Sequence, residues 1–225
     1  DKKITMLQSG KSPIYEKDLE ELMQQNKERL TYTTDYTSAY KDANVIFIGV
    51  GTPEKKDGSA NLTYVYEVAK QISHSAEENC VVVVKSTVPI GTNDKVEVLL
   101  QKEKAHDVVL EVASNPEFLA QGTAVRDTLH ASRIVLGVES EYAEKVLREV
   151  YAGFEAPVLV TNRRSAEMIK YASNDFLALK ISYVNEIANL CELVGADIQD
   201  VTAGMGLDPR IGNQFLNAGI GYGGS

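Results

Sequence analysis

The amino-acid sequence predicts an α/β fold, in which a parallel sheet is followed by a long helix and by the start of a second domain. Before residue 164, short apolar runs that favour strands alternate with longer helical patterns. Such alternation is typical of a parallel sheet whose strands are joined by helices. From Arg164 to Val194 the chain then has neither Gly nor Pro, which predicts one long helix ahead of a glycine-rich tail.

The first two predicted strands are apolar throughout instead of alternating between apolar and polar residues. They are Val45 to Val50 and Cys80 to Lys85. Strands covered by helices on both faces have this composition, so we expect both at the centre of the sheet. The remaining predicted elements, in chain order, are helices at 64–76 and 93–104, strands at 108–113 and 133–138, a helix at 142–150 and a strand at 157–160.

The composition excludes several classes of function. The 225 residues carry a net charge of -9, with 44% hydrophobic and 24% charged residues. Nucleic-acid binders concentrate Lys and Arg on one face, so this acidic balance argues against a nucleic-acid partner. The longest apolar run, Val81 to Val84, is too short to span a bilayer. We therefore expect no membrane partner and a cytoplasmic location.

The cysteines and histidines do not predict a metal site. Cys80 and Cys191 are far apart in sequence and lie in apolar surroundings, which suits small buried side chains. His74, His106 and His130 have no metal-ligand spacing with one another or with a cysteine, and we expect them to be solvated.

A glycine motif of the dinucleotide-binding type occurs in an unusual place. Such a motif normally lies between the first strand and the first helix, where its glycines let the backbone approach a pyrophosphate. The first residues contain no such loop, whereas Gly219 to Gly224 match the GxGxxG spacing near the end of the chain. No strand or helix pattern flanks this match, so it indicates either a flexible tail or a cradle for a different phosphate.

Six segments occur in an order that is characteristic of one enzyme family. Together they resemble the UDP-glucose/GDP-mannose dehydrogenase family. PEFL and GIGYGG are more similar to its UDP-glucose branch than to the branch acting on N-acetylmannosamine, and GDP-mannose enzymes are the nearest alternative. The segments are SPIYE (12–16), GTP (51–53), STVPIGT (86–92), SNPEFLAQGTA (114–124), SAEMIKYASNDFLALKISYVNEIANLCE (165–192) and FLNAGIGYGGS (215–225).

The resemblance implies a domain organisation and an assembly. Residues 1–163 would form a Rossmann-like NAD-binding domain, 164–196 a central helix, and 197–225 the start of a UDP-sugar-binding domain. The family's first strand and GxGxxG loop would precede Asp1, and its cysteine nucleophile would follow Ser225. The 225-residue chain alone is therefore expected to be inactive. The resemblance also implies a homodimer formed through the central helix.

The reaction implied by the resemblance is the oxidation of UDP-glucose to UDP-glucuronate by two hydride transfers to NAD. The aldehyde is held on the cysteine, and water releases the resulting thioester. By resemblance, Thr87 orders this water and Glu117 activates it, while Lys170 and Asn174 stabilise charge on the C6 oxygen. Apart from the resemblance, Glu117 is typical of an exposed turn carboxylate, and a Lys and an Asn four residues apart are typical of a solvated helix face.

The remaining site residues are also carried over from the family, and none of them implies a metal. Where Gln121 stands, many family members have a second glutamate, so this chain would lack one ionisable group beside the nicotinamide. The predicted NAD contacts are Lys3, Val50, Thr52, Pro53, Ser86, Thr87 and Gln121. The predicted UDP-sugar contacts are Glu117, Phe118, Leu119, Ala120, Lys170, Asn174, Phe215, Leu216, Asn217, Gly219 and Gly223.

Three alternatives remain open at the level of the sequence. The protein could be a GDP-mannose 6-dehydrogenase, which differs in substrate only. It could be a binding module for nucleotide sugars that has neither the nucleophile nor the GxGxxG loop. It could also be an NAD(P) dehydrogenase of the 6-phosphogluconate type, in which no cysteine would follow the glycine loop. The binding module and the 6-phosphogluconate type would be excluded if the reading frame continues beyond Ser225 into CFPKD and upstream of Asp1 into GxGxxG.

Overall fold

The sheet contains five strands in the order β1-β2-β3-β4-β5, so each strand pairs with its neighbours in sequence. The structure is a computed structural model, and it describes residues 2–220. The predicted strands are confirmed, with ends shifted by a few residues at most. They are β1 (Val45–Ile48), β2 (Cys80–Val84), β3 (Leu110–Ser114), β4 (Ile134–Gly137) and β5 (Val158–Thr161).

The four helices predicted from the sequence are also present. The structure adds four short helices, before β1 and between β3 and β4, where the sequence analysis predicted none. The break at Gly195 and Asp197 predicts a short helix after the long one, and this helix is present. The α-helices are α1 (Lys2–Gln8), α2 (Leu19–Gln25), α3 (Tyr36–Tyr40), α4 (Thr63–Ser75), α5 (Thr92–Glu103), α6 (Ala124–Leu129), α7 (Glu141–Val150), α8 (Arg163–Val194) and α9 (Ile198–Gly206).

The α/β class is confirmed, and one strand pair departs from the parallel arrangement. β1, β2 and β3 are parallel to one another, and β4 is parallel to β5. β3 and β4 are antiparallel and share the single pair Ser114 and Gly137. A parallel connection needs a crossover across the sheet, whereas β3 and β4 are joined by a loop and the six-residue α6.

The prediction that the first two strands are both central holds only for β2. All five residues of β2 are buried. β1 lies at the edge of the sheet formed by residues 2–220, and Phe47 is 40% exposed. An apolar run indicates that a strand is covered on its faces. It does not determine whether another strand pairs along its edge, so within residues 2–220 the prediction is not met for β1.

Helices pack on both faces of β2 and form two hydrophobic cores. Val82 and Val84 point to one face, where they join a cluster that includes α4 and α5 residues. Val81 and Val83 point to the other face, towards Ala143 and Leu147 of α7. Successive side chains of a strand alternate between faces, so five buried residues in a row need a cover on each side.

The chain divides into two compact units, Asp1–Met168 and Ile169–Ser225. The division falls within α8, which has 32 residues. In the second unit, Asp197 caps α9 by accepting a hydrogen bond from the Gln199 amide at 2.7 Å. No helix among residues 2–220 combines the length and apolar character needed to cross a membrane.

Candidate functional site

The loops that follow β1, β2 and β3 lie at one end of the sheet, beyond the last residues of the strands. The three strands are parallel, so their carboxyl ends are side by side at this end. In open α/β sheets, ligands bind in the crevice outside the carboxyl ends of the strands. The predicted cofactor residues of the first unit, except Lys3, belong to these loops, while Lys3 is an exposed residue of α1.

Hydrogen bonds join the loops after β1 and β2. Thr52 Oγ1 donates to the Thr87 carbonyl oxygen at 2.9 Å. Ser86 Oγ donates to the Val50 carbonyl oxygen at 2.7 Å. The structure therefore brings together Val50, Thr52, Ser86 and Thr87, four of the residues predicted to contact NAD. The Thr52 and Ser86 hydroxyls hold the two loops in register.

The backbone of the first of these loops is uncovered at two glycines. A Cβ atom added to Gly49 or to Gly51 would meet no other atom within 4 Å. The backbone is thus open to close approach by a ligand, which is the usual contribution of glycines in a phosphate-binding turn. Pro53 is exposed at the end of the same loop.

A polar cluster that the sequence analysis missed lies at the ends of β2 and β3. Lys85 Nζ donates to Asn115 Oδ1 at 3.0 Å, and the Tyr151 hydroxyl also donates to this oxygen. Asn115 Nδ2 donates to the Val135 carbonyl oxygen at 2.9 Å. Burial raises the pKa of Tyr151, so the phenol stays protonated and acts as a donor. The sequence signal was a polar residue directly after each buried strand.

Carboxylates hold the backbone of the loop after β3. Glu117 accepts a hydrogen bond from the Leu119 amide at 2.6 Å, and Asp127 accepts one from the Ala120 amide at 3.1 Å. The Leu119 and Ala120 amides are therefore already engaged within the protein. A UDP-sugar contact through this backbone would use the carbonyl oxygens or would require these amide bonds to rearrange.

A residue from the start of the chain reaches the same loop. Glu16, the last residue of SPIYE, accepts hydrogen bonds from the Gly122 amide at 2.9 Å and from the Ala124 amide at 3.2 Å. Gly122 has a φ of 83°, a left-handed conformation that favours glycine. Gln121, directly before it, is exposed in the turn.

Phe118 lies under a guanidinium group. Arg133 Cζ is 3.9 Å from the centroid of the Phe118 ring. A cation above an aromatic face is electrostatically favourable and fixes the plane of the ring. This contact orients Phe118, and it is a feature that the sequence analysis did not predict.

Lys170 and Asn174 are four residues apart on α8, in the second unit. Lys170 is only 6% exposed, and Asn174 is partly buried. A lysine on a solvated helix face keeps its charged end in water, so the alternative reading of Lys170 as an ordinary surface residue is wrong. The roles predicted for this pair remain predictions.

The last described segment of the chain carries four of the predicted UDP-sugar contacts. Leu216 is buried, while Phe215, Asn217 and Gly219 are exposed. Phe215 has a φ of 62°, which is unusual for a bulky residue. Gly223 lies outside the described residues, as does most of the GxGxxG match from Gly219 to Gly224.

Neither cysteine is suited to be the nucleophile of a thioester mechanism. Cys80 and Cys191 are both buried, as predicted. Desolvation raises the pKa of the Cys80 thiol to about 11, so the reactive thiolate is scarce at neutral pH. No group of metal-ligating side chains is present among residues 2–220.

Comparison with known protein families covers nearly the whole chain. Residues 1–155 match the NAD binding domain of the UDP-glucose/GDP-mannose dehydrogenase family, and residues 164–225 match its central domain. The chain belongs to this family. The predicted family and the predicted NAD cofactor are thereby confirmed.

Individual relatives agree with this assignment. The chain is 53% identical to UDP-glucose 6-dehydrogenase YwqF of Bacillus subtilis (strain 168) over 99% of its own length and 51% of that protein. It is similar to the structure of a UDP-glucose dehydrogenase from Pyrobaculum islandicum, with a TM-score of 0.94 and 42% identity over 99% of this chain and 52% of that one. A GDP-mannose dehydrogenase from Pseudomonas aeruginosa gives a TM-score of 0.88 and 36% identity over 100% and 54%. The chain thus spans about half the length of these relatives.

Proposed function

We propose that the protein carrying this chain is an NAD-dependent dehydrogenase that oxidises UDP-glucose to UDP-glucuronate. The observation that carries the proposal is the family membership, together with identities of 53% to a UDP-glucose 6-dehydrogenase and 36% to a GDP-mannose dehydrogenase. Residues 1–163 would bind NAD, 164–196 would form the central helix, and 197–225 would begin the UDP-sugar domain. We assign the protein to the cytoplasm.

The residues of the first unit would bind the cofactor and control water. NAD supplies the hydride acceptor when bound. Val50, Thr52 and Pro53, with Ser86 and Thr87, would line its site at the carboxyl ends of β1 and β2. Lys3 and Gln121 would contribute at its margins. The bond between Thr52 and the Thr87 carbonyl oxygen supports this assignment, because it fixes the backbone of both loops before a ligand arrives.

Glu117 and Thr87 would act on the water that hydrolyses the thioester. One oxygen of Glu117 accepts a bond from the Leu119 amide, which restricts the orientation of the carboxylate. Thr87 would orient the water, and Phe118, Leu119 and Ala120 would border the sugar.

Lys170 and Asn174 would stabilise negative charge on the C6 oxygen. The burial of Lys170 supports this role, because a cation in a poorly solvated environment interacts more strongly with a developing oxyanion than a solvated one does. Phe215, Leu216, Asn217, Gly219 and Gly223 would surround the uridine diphosphate.

The central helix would also form a homodimer interface. Large apolar side chains of α8 are exposed at a spacing of three, four or seven residues, so they fall on one stripe of the helix. Exposed apolar patches of this kind mark interaction surfaces. This stripe, called the α8 stripe below, consists of Phe176, Leu179, Tyr183, Leu190 and Leu193.

The function is tested by measuring NADH formation with two proteins. One is the 225-residue chain. The other, called the extended protein below, is the full-length protein, which is expected to include the GxGxxG loop upstream and the cysteine and the rest of the chain downstream. We expect turnover of UDP-glucose by the extended protein only. Preferred turnover of GDP-mannose would reassign the substrate. Tight binding of UDP-glucose without turnover by the extended protein would instead support the non-catalytic binding module.

A further inference from the structure

A side chain of α8 pairs with both polar groups of one glycine backbone. Asn185 Nδ2 donates to the Gly219 carbonyl oxygen at 2.9 Å, and Asn185 Oδ1 accepts from the Gly219 amide at 2.9 Å. The amide group of asparagine has the same donor and acceptor as a peptide unit, so this pairing reproduces a backbone pairing. The two residues are 34 positions apart and lie in the same compact unit.

A second side chain of α8 holds the other end of the same segment. Lys180 Nζ donates to the Ile211 carbonyl oxygen at 3.1 Å. Lys180 and Asn185 are separated by about 7.5 Å along the helix axis. A nine-residue segment that were extended would span roughly 30 Å, so residues 211–219 follow a bent path between these two anchors.

Two features of the segment agree with this bent path. Phe215 adopts a left-handed φ of 62°, which a bulky side chain avoids unless the surrounding structure imposes it. Leu216, the next residue, is buried and fixes the middle of the segment. The conformation of the exposed residues Asn217 to Gly219 is therefore determined by Leu216 on one side and by Asn185 on the other.

We propose that Asn185 is a positioning residue for nucleotide-sugar binding. It acts through Gly219 and holds residues 211–219 in the conformation that receives the diphosphate. This inference rests on the proposed function, because Gly219 and its neighbours were assigned to the UDP-sugar site there. Asn185 itself needs no contact with the substrate. Loss of its amide would leave the segment present but mobile, so binding would first have to order it.

The test compares two substitutions of Asn185 in the extended protein. Asn185→Ala removes both hydrogen bonds. Asn185→Asp keeps the shape and one acceptor but places a carboxylate oxygen against the Gly219 carbonyl oxygen. Asn189→Ala is the matched control, since Asn189 is an exposed asparagine one turn further along α8. Titration calorimetry with UDP-glucose and, separately, with NAD gives both affinities.

Both Asn185 variants are expected to bind UDP-glucose about tenfold more weakly, which corresponds to the loss of one or two hydrogen bonds. NAD affinity and the melting temperature should remain close to those of the unmodified protein, as should all properties of Asn189→Ala. Unchanged UDP-glucose affinity in Asn185→Ala would overturn the inference. An equal loss of NAD affinity would do so as well, because it indicates general damage to the fold.

Hydrogen exchange separates this inference from the proposed function. Absence of UDP-glucose binding by the unmodified extended protein would refute the function alone. In that case, amide exchange over residues 211–219 still reports on the anchor. Faster exchange there in Asn185→Ala, with the rest of α8 unaffected, supports the positioning role, whereas unchanged exchange rejects it.

Discussion

At the scale of single residues, Glu117 of the loop after β3 has two possible roles, as a turn-capping residue or as the base that activates water. Its bond to the Leu119 amide is compatible with a turn-capping residue and with an oriented base. If Glu117 activates water, Glu117→Gln in the extended protein should allow hydride transfer but trap the covalent intermediate. We expect a pre-steady-state burst of NADH and a glucuronyl adduct on the cysteine, detected by mass spectrometry after quenching.

The control for Glu117→Gln is Glu155→Gln, because Glu155 is an exposed glutamate outside the strand-end loops. It should turn over normally. Normal turnover of Glu117→Gln without an adduct would instead assign the carboxylate to the turn, with a cost of up to about 1 kcal/mol in the free energy of unfolding.

Lys170 is the second residue whose predicted role can be isolated. The residue is only 6% exposed, and a cation in a poorly solvated environment interacts more strongly with a developing oxyanion than a solvated one does. In the extended protein, Lys170→Ala should lower kcat by roughly 10²–10³-fold, the loss typical of one preorganised donor, and leave the fold intact. Steady-state kinetics and circular dichroism measure the two effects. The control is Lys102→Ala, at an exposed lysine of α5, which should change neither kcat nor the circular dichroism spectrum. A Lys170→Ala rate within about twofold of the unmodified enzyme would contradict the assignment.

At the scale of elements, the loop after β3 depends on Asp127 in a pH-dependent way. The hydrogen bond from Thr123 lowers the pKa of Asp127 below 3.8, as do the Ala120 amide and Arg126. A carboxyl group with a lower pKa in the folded state stabilises the fold above its unfolded pKa and loses this contribution as pH falls through the folded value. Asp127→Asn should therefore lower the melting temperature at neutral pH, and the difference should shrink below about pH 3.8.

Melting curves of the 225-residue chain over a pH series check this prediction. Asp107→Asn is the matched control, because Asp107 is exposed between α5 and β3. A difference between Asp127→Asn and the unmodified chain that stays constant across the series would show that the charge of Asp127 is irrelevant.

The junction between α5 and the start of α8 is held by a buried carboxylate. Glu167, 2% exposed, accepts hydrogen bonds from the Gly91 amide at 2.5 Å and from the Asn93 amide at 2.9 Å. A third bond comes from Asn93 Nδ2 at 2.6 Å. These donors surround the first turn of α5, where the helix dipole also favours an anion.

Glu167→Gln would replace one acceptor oxygen with a donor that faces other donors. The expected cost is about 1–3 kcal/mol in the free energy of unfolding, the penalty for leaving a buried polar group without its partner. Urea denaturation of the 225-residue chain measures it. Glu192→Gln, at an exposed glutamate of the same helix, should be neutral, and equal stability of the two variants would refute the role of Glu167.

At the scale of the whole molecule, the α8 stripe is the surface on which assembly can be tested. Leu179 lies within it and is exposed. A charge there would have to be desolvated in a helix-to-helix interface, so Leu179→Asp should convert the proposed dimer to a monomer. Analytical ultracentrifugation of the extended protein measures this change. Leu207→Asp is the control because Leu207, 85% exposed, follows α9 and lies outside the stripe. A dimer that persists in Leu179→Asp would exclude the stripe as the interface.

The sequence by itself determined the fold class, the order of the main elements and the family. Each depends on a local pattern: apolar runs such as that of β2, the uninterrupted helical stretch of α8, and motifs whose spacing along the chain is fixed. The NAD contacts carried over from the family include Thr52 and Thr87, and the hydrogen bond between them shows that the loops after β1 and β2 lie together.

Only the tertiary structure decided how those motifs are held in place. Glu16 with Gly122, Glu167 with Asn93, and Asn185 with Gly219 are pairs of distant residues, and no local pattern predicts which carboxylate or amide meets which backbone. The same limit explains the antiparallel step at β4. Apolar patterning specifies which faces are covered, whereas strand direction and lateral pairing follow from how the connecting segments pack.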